Sequence, residues 1–349
     1  MLRFFVLFFF LLSVLLGTVS AQTLTVLTHN SFTVPDEVIA AFTEETGIEL
    51  EFVGGGDAGE SVNRAILTKN NPLADVLYGV DNNLIARAAS EGIFEPYESP
   101  ELSTVPNEYL FADNLVTPID VGYVNFNYDK AYFAENEVAV PETIERLTEE
   151  AYRGLTVVEN PASSSPGLAF MLATIAKFGD GWLDYWAALR DNDLQVTDGW
   201  EGAYYTSFTQ YGGDRPIVLS YATSPAAEVV FSEQALDDAP TANLFCEACV
   251  YRQIEAAGIL KGTDNVEAAR RFIDFMLSER FQEAIPLNMY VYPVVNGAAL
   301  PDVFERYAQT PAPEQIATLP NEEVEANLSE WLDAWTQVVQ QGRAPSEVR

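Results

Sequence analysis

Aromatic and acidic side chains recur where the predicted strands of this sequence end. Trp200 closes the segment TDGW at a predicted helix start, and Tyr221 ends the strand PIVLSY. Asp57 follows three glycines after another strand, and Tyr290 lies in the segment MYVYP. Aromatic faces attract organic cations by about 0.5–2 kcal/mol per ring, and a carboxylate adds charge complementarity. These residues predict a site for a flat cation if the fold brings them together.

Two serine–proline pairs mark further helix starts. Ser165 precedes Pro166 in SSSPG, and Ser224 precedes Pro225 in TSPA. Each serine fits an N-cap with proline in the first turn. Because free amides at a helix start also attract anions, the two pairs either serve as caps alone or grip a phosphate or carboxylate.

Signals of catalysis are scarce in the sequence. It contains neither G-x-S-x-G nor H-E-x-x-H, and a nucleophilic triad would have to use its single histidine, His29. GGGDAG has the spacing G-x-G-x-x-G, but Asp57 would lie inside a pyrophosphate cradle and repel it. The sequence therefore favours binding over catalysis, with a secreted hydrolase that uses His29 as an alternative.

The two cysteines, Cys246 and Cys249, lie three residues apart in CEAC. An extended strand would place their Cα atoms about 10 Å apart, beyond the roughly 7 Å that a disulfide spans. A disulfide therefore requires a turn, and the sequence leaves it open. A two-cysteine zinc site would need more ligands than His29 can supply, so no metal site is expected.

The elements that must position these residues alternate between strand and helix. TLTVLT, IELEFVG and ADVLYGV predict strands, each followed by a helical pattern, and this rhythm predicts a parallel α/β sheet. In ADVLYGVDNNLI, residues 81–83 fall at the carboxyl edge of the sheet, where open α/β sheets bind ligands. We expect Asp81 mainly to shape the strand–helix turn there.

The length of the chain predicts two lobes, because about 330 residues are many for one core. Residues 22–120 form the first part of lobe 1, 121–245 form lobe 2, and 246–349 return to lobe 1. The long alternating segment 117–129 is suited to carry the chain between the lobes. Residues 1–21 combine one arginine, an apolar run and small residues before Gln22, a pattern typical of a cleaved signal peptide and thus of export.

The net charge of the chain limits the classes of partner that it is expected to bind. The sequence has 52 acidic and 18 basic residues and a net charge of −34. Binding to nucleic acid requires the opposite sign, so nucleic acid is not an expected partner.

A resemblance to a known family is carried by the N-terminal signal pattern and by seven segments that follow it in chain order. They are LTVLTHNSF, ADVLYGVDNNL, VGYVNFNYDK, NPASSSPGLAF, DGWEGAY, VLSYATSPA and FQEAIPLNMYVYPV. The sequence resembles the thiamine-binding proteins of bacterial ABC importers over nearly all of its mature length. The resemblance implies a type II periplasmic-binding fold, with two α/β lobes that close on thiamine or its phosphates. It also implies a non-catalytic, periplasmic monomer without a cofactor, which delivers its ligand to the importer's membrane subunits.

The resemblance also implies a set of ligand-binding residues. They are His29, Asp57, Ser164, Trp200, Tyr221, Ser224 and Tyr290. Three positions depart from the family: His29 and Ala227 each stand where tyrosine is usual, and the tryptophan expected near Val34 is missing. These departures bear on affinity and on the choice among thiamine, its phosphates and its fragments.

An iron(III)-binding protein of the same fold is the main alternative function. Such proteins use adjacent tyrosines, and AYYTS offers Tyr204 and Tyr205. On one helix, however, neighbouring side chains diverge by about 100°.

Overall fold

The computed structural model of the protein describes residues 22–348. The predicted signal peptide lies outside this range. Within residues 22–348, no helix is both long enough and apolar enough to cross a bilayer.

Twelve strands are formed by the described residues. They are β1 (Gln22–Thr28), β2 (Ile48–Gly54), β3 (Val76–Asp81), β4 (Phe94–Glu95), β5 (Thr117–Asp129), β6 (Thr156–Glu159), β7 (Gln195–Thr197), β8 (Ile217–Tyr221), β9 (Thr241–Leu244), β10 (Val250–Leu260), β11 (Tyr292–Pro293) and β12 (Ile316–Ala317).

Eleven α-helices accompany the strands in the same range. They are α1 (Asp36–Thr46), α2 (Ala58–Leu67), α3 (Ile85–Ser90), α4 (Lys130–Glu135), α5 (Ser165–Phe178), α6 (Trp182–Asp191), α7 (Ser224–Phe231), α8 (Val266–Met276), α9 (Glu279–Asn288), α10 (Asp302–Tyr307) and α11 (Asn321–Trp335). A π-helical segment, Gly202–Ser207, follows Trp200.

The sheet combines two parallel units through long antiparallel strands. Its main order is β2-β1-β3-β10-β5-β8-β6-β7. β1 is parallel to β2 and β3, and β6 is parallel to β7 and β8, whereas β10 is antiparallel to both β3 and β5. The parallel pairing predicted from the first three strands is thus confirmed for β1, β2 and β3, and the second unit repeats it. The centre is antiparallel because β5 and β10 carry the chain directly between the units.

This arrangement is a two-lobed α/β fold, as predicted. The residue boundaries of the lobes stay predictions. The end of the chain contacts both regions: Trp335 of α11 packs edge-to-face on Trp186 of α6 at 5.5 Å between ring centroids, and both are fully buried. α6 lies in the range assigned to lobe 2, so the final helix also stabilises that lobe.

Local sequence explains where α1 ends and where α2 begins. α1 ends at Gly47, which has a φ of 73° and closes the helix in the left-handed conformation. α2 begins with a capping box, in which Asp57 is the N-cap and the Glu60 side chain accepts from the Asp57 amide at 3.1 Å.

The two cysteines form a disulfide. Cys246 and Cys249 have Cα atoms 5.5 Å apart. Ala248, with a φ of 47°, supplies the turn that such a short separation requires. The bridge lies between β9 and β10, where the chain crosses back between the two parallel units.

Candidate functional site

A cavity of about 390 Å³ lies between the two parallel units of the sheet. On one side it is lined by the loop after β1 and the start of α2. On the other it is lined by the starts of α5 and α7, the segment around Trp200 and the residues after α9. Its volume is in the range of small-molecule pockets, about 300–1,000 Å³.

Six of the seven residues predicted for the site line this cavity. They are His29, Asp57, Trp200, Tyr221, Ser224 and Tyr290. Ser165 lines it in place of its neighbour Ser164, whose hydroxyl is buried and has no hydrogen-bond partner in the described part of the chain. The fold thus gathers residues that are up to 261 positions apart, and their contact with a ligand stays a prediction.

One side of the cavity consists of rings. This aromatic wall comprises Trp200, Tyr204, Tyr205, Tyr211, Phe231 and Tyr290. The Trp200 indole stacks on Tyr204 at 4.8 Å with an interplanar angle of 19°, and Tyr205 meets it edge-on at 5.3 Å. The indole Nε1 donates to the Ser220 hydroxyl at 2.8 Å, which fixes the rotation of the ring. Its orientation is therefore set before any ligand binds.

A buried carboxyl group supports the aromatic wall from behind. The Tyr204 hydroxyl donates to Glu228 of α7 at 2.5 Å, and the Tyr211 hydroxyl donates to the same group at 3.3 Å. Burial raises the pKa of Glu228 to about 7. This network holds Tyr204 in the core while Tyr205 is 45% exposed, so the two adjacent tyrosines point in different directions.

Tyr221 forms part of the wall that faces β5. Its hydroxyl donates to Gln253 of β10 at 3.0 Å. Gly122 of β5 makes room for the ring, because a Cβ at that position would come within 2.8 Å of it. Burial, followed by the charges of Glu255 and Asp57, raises the pKa of Tyr221 well above its usual value.

The opposite side of the cavity carries charge. This acidic wall comprises Asp57, Glu255 and, directly behind them, Asp120. His29 lies among them, and its Nε2 is 3.5 Å from a Glu255 oxygen. Burial lowers the pKa of His29, but the charges of Glu255, Asp57 and Asp120 and the Glu255 hydrogen bond raise it overall. The Glu255 carboxylate is therefore the group that would pair with a protonated His29.

Asp120 is held by a second polar contact. The Tyr78 hydroxyl donates to its carboxylate, and both residues are fully buried. Burial and the charge of Glu255 raise the pKa of Asp120 well above its usual value. Burial thus favours the protonated form of Asp120 beside Glu255, and a cation bound next to them would favour its ionised form.

Asp57 joins the two sides of the cavity. One carboxylate oxygen accepts from the Ala58 amide at 2.6 Å, and the other accepts from the Trp200 amide at 2.9 Å. It is thus both a helix cap and a bridge between the acidic and aromatic walls. The predicted contact of Asp57 with a ligand stays a prediction.

Asp81 makes a second bridge. One of its oxygens accepts from the Asn83 amide at 2.8 Å and the Leu84 amide at 3.0 Å, which confirms that it shapes the strand–helix turn. The other accepts from the Ser165 hydroxyl at the start of α5. Burial, followed by the charge of Glu255, raises the pKa of Asp81 to about 7, against the effect of the two amides.

The serine–proline helix starts differ by one residue from the prediction. The N-caps are Ser164 and Thr223 rather than Ser165 and Ser224, because each proline occupies the second helical position. Neither N-cap side chain makes a capping hydrogen bond. The Ser224 hydroxyl instead lies 3.0 Å from the Ser220 hydroxyl, which also accepts a hydrogen bond from the Trp200 indole.

Sequence reasoning missed several residues of the cavity. Phe231 is one of them, and helical spacing from Ser224, seven residues earlier on α7, could have placed it there. Glu255 could have been found as an acidic residue within a strand that is otherwise buried. Tyr211 carries no comparable signal, because it follows an irregular π-helical segment.

The described residues contain no group of three or more histidine, cysteine, aspartate or glutamate side chains placed to hold a metal ion. Tyr204 and Tyr205 have rings 89° apart, and Tyr204 is already bonded to Glu228. This geometry gives the iron alternative no preformed pair of tyrosine ligands.

A two-lobed α/β fold with a cavity lined from both lobes defines a protein that encloses a small ligand in its cleft. Sequence comparison agrees with this class, since the profile described as "Bacterial extracellular solute-binding protein" matches residues 71–312. The chain is 32% identical over 321 residues to the thiamine-binding periplasmic protein of Escherichia coli, covering 90% of this chain and 93% of that one. It is also 32% identical to the protein of the same name from Brucella suis, covering 90% and 91%.

The chain therefore belongs to the bacterial extracellular solute-binding proteins, in the family of the thiamine-binding periplasmic proteins. A solved structure titled "Periplasmic thiamin binding protein" superposes with a TM-score of 0.81 at 30% identity, covering 93% of this chain and 98% of that one. Iron-bound HitA from Pseudomonas aeruginosa shares the fold with a TM-score of 0.72 at 18% identity, covering 90% and 99%.

Proposed function

We propose that the protein captures thiamine or a thiamine phosphate outside the cytoplasm and delivers it to an ABC importer. The observation that carries this proposal is the pairing of an aromatic wall with an acidic wall across one cavity. Thiamine joins an aminopyrimidine to a cationic thiazolium, so it offers two flat rings and one positive charge. The similarity to thiamine-binding periplasmic proteins supports the same ligand.

The role of the protein is binding without chemistry. Its single histidine, His29, lies 3.5 Å from the Glu255 carboxylate, and the similarity to solute-binding proteins supports a binding role. Export through the predicted signal peptide would place the mature chain where an importer's membrane subunits receive ligand. The periplasmic location in the names of its relatives supports this placement.

Iron(III) binding is the second candidate function, favoured by the shared fold of HitA and by 25% identity to Iron uptake protein A1 of Synechocystis. These likenesses are weaker than those to the thiamine-binding proteins. The orientation of Tyr204 and Tyr205 also supports thiamine over iron.

The test is a titration of the purified mature protein with thiamine and, separately, with ferric citrate. Thiamine is expected to quench tryptophan fluorescence, because Trp200 lines the cavity, and to raise the melting temperature. Absence of both effects with thiamine, together with a visible absorption band on adding iron, would favour the iron-binding alternative and contradict the proposal.

A further inference from the structure

Glu159 is a buried carboxyl group whose presence needs a reason. It is the last residue of β6 and has no solvent exposure. Neither of its side-chain oxygens has a hydrogen-bond partner among the described residues. Burial raises its pKa well above the usual value, and the charge of Asp57 raises it further. A buried acid without a partner lowers the stability of the fold. A role in ligand binding would explain its presence.

Glu159 does not line the cavity, but its strand lies beside β8, which ends at the lining residue Tyr221. β6 pairs with β8 so that Val157 lies opposite Val218. Continuing this register by two residues brings Glu159 beside Ser220, the residue that holds the Trp200 indole. Its charge also acts on Tyr221, whose pKa it helps to raise. Glu159 is therefore coupled electrostatically to two residues that line the cavity, Asp57 and Tyr221.

The start of α5 lies directly against the same residue. A Cβ on Gly167 would come within 2.5 Å of the Glu159 carbonyl oxygen. A phosphate drawn to the amides at this helix start would therefore be bound next to the end of β6, where Glu159 lies. The two features oppose each other, because the amides attract an anion and the carboxylate repels it.

The rest of the cavity does not supply the missing positive charge. Of the described residues that line it, Asp57, Glu201 and Glu255 are acidic, and none is lysine or arginine. His29 is the only basic side chain in this lining, and Glu255 is 3.5 Å from it. A phosphate ester would bring about −1.5 to −2 charges at neutral pH into this site.

We propose that Glu159 makes the cleft selective for cationic, unphosphorylated thiamine over its phosphate esters. This inference rests on the proposed function and narrows it to one form of the ligand. A bound cation stabilises the ionised carboxylate, whereas a bound phosphate requires the group to be protonated. Discrimination against the phosphate is therefore strongest at alkaline pH and weakens as the pH falls.

The experiment compares calorimetric affinities of the mature protein for thiamine and thiamine monophosphate at pH 8 and at pH 9, since burial raises the pKa of Glu159 and its carboxylate is more ionised at the higher pH. The wild type is expected to bind thiamine more tightly. The Glu159→Gln variant keeps the shape and removes the charge, so the ratio of the two affinities should fall by about tenfold, mainly through tighter binding of the phosphate. Glu159→Asp retains the charge and should retain the preference.

Glu150→Gln is the matched control. It makes the same change of charge at an exposed residue that does not line the cavity, and it should leave the ratio at the wild-type value. Melting curves show whether each variant is folded. If Glu159→Gln does not fold, the wild-type ratio and the Glu159→Asp variant decide the question.

Equal or tighter binding of thiamine monophosphate by the wild type would overturn the inference, as would an unchanged ratio in folded Glu159→Gln. Binding of the phosphate alone would overturn it while leaving the broader proposed function standing. Failure of the wild type to bind either compound would contradict the proposed function itself, and the inference would fall with it.

Discussion

The two walls of the cleft are built by different means. The aromatic wall presents rings held by one another and by hydrogen bonds, such as the indole of Trp200 donating to Ser220. The acidic wall presents carboxylates, two of them on the central strands, crowded around His29. The comparison teaches that shape and charge recognition are separable here. The aromatic wall orients a flat ligand, whereas the acidic wall favours a ligand with a positive charge.

Removing charge from the acidic wall should have the largest effect. Asp57→Asn keeps a good helix cap but loses the negative charge that faces the cavity. A charge-assisted hydrogen bond contributes about 1.5–3 kcal/mol, so thiamine affinity measured by calorimetry should fall by about ten- to a hundredfold. Asp36→Asn, an exposed change in the first turn of α1, is the control. Wild-type affinity in Asp57→Asn would remove the acidic wall from recognition.

Removing the stacked ring of the aromatic wall should have a similar or somewhat smaller effect. Trp200→Ala leaves the backbone amide that Asp57 binds but deletes the indole, so thiamine binding should weaken by about 1–3 kcal/mol. Titration calorimetry measures the loss. Trp331→Ala, at a partly buried tryptophan of α11 outside the cavity, should change stability rather than affinity. Equal affinity losses in both variants would show that Trp200 acts only through the fold.

The bridge at Asp81 should reveal itself in the pH dependence of stability. Its pKa in the folded protein is about 7, above the ordinary value of 3.8. Its contribution to the free energy of unfolding is therefore fully present below the ordinary pKa and lost as the pH rises through about 7. Urea unfolding near pH 5 and pH 8 should show a smaller loss of stability with rising pH in Asp81→Asn than in the wild type.

Asp113→Asn, at an exposed position, provides the reference for the Asp81 experiment. It should lose stability between the two pH values as the wild type does. An identical pH dependence in Asp81→Asn and the wild type would show that the Asp81 carboxyl group does not titrate in this range.

The hydroxyl of Ser224 should have the smallest effect. Ser224→Ala removes one partner of Ser220 but leaves the Trp200 indole bonded to it, so thiamine affinity should change by about 1 kcal/mol or less. Ser232→Ala, just after the same helix, is the control. A loss as large as that of Trp200→Ala would mean that Ser224 contacts the ligand directly.

Much of the fold was predictable because its signals are local. The alternating segment predicted at residues 117–129 forms one strand with the same bounds. Alternation over thirteen residues is a strong local signal. Asp57 opens α2 as its N-cap, and an acidic residue directly before a helical pattern is a short-range signal of this kind. The antiparallel pairing of β5 with β10 was missed, because no local pattern specifies which distant strand lies alongside.

The site was predictable only in part for the same reason. Residue type and position at strand ends indicated Trp200 and Tyr221, and the family resemblance added His29. Glu159 and the Asp81–Ser165 bridge depend on how the two lobes meet. That contact joins residues 84 positions apart, and it leaves no periodicity in either segment.

The most direct test of the two-wall mechanism compares thiamine with a neutral analogue of the same shape, in which carbon replaces the quaternary nitrogen of the thiazolium. Calorimetry with the mature wild-type protein should show one site for each compound, because the aromatic wall accepts both. Thiamine should bind at least about tenfold more tightly, since only the cation gains cation–π attraction and the charge of the acidic wall. Equal affinities would contradict charge selection by this cleft.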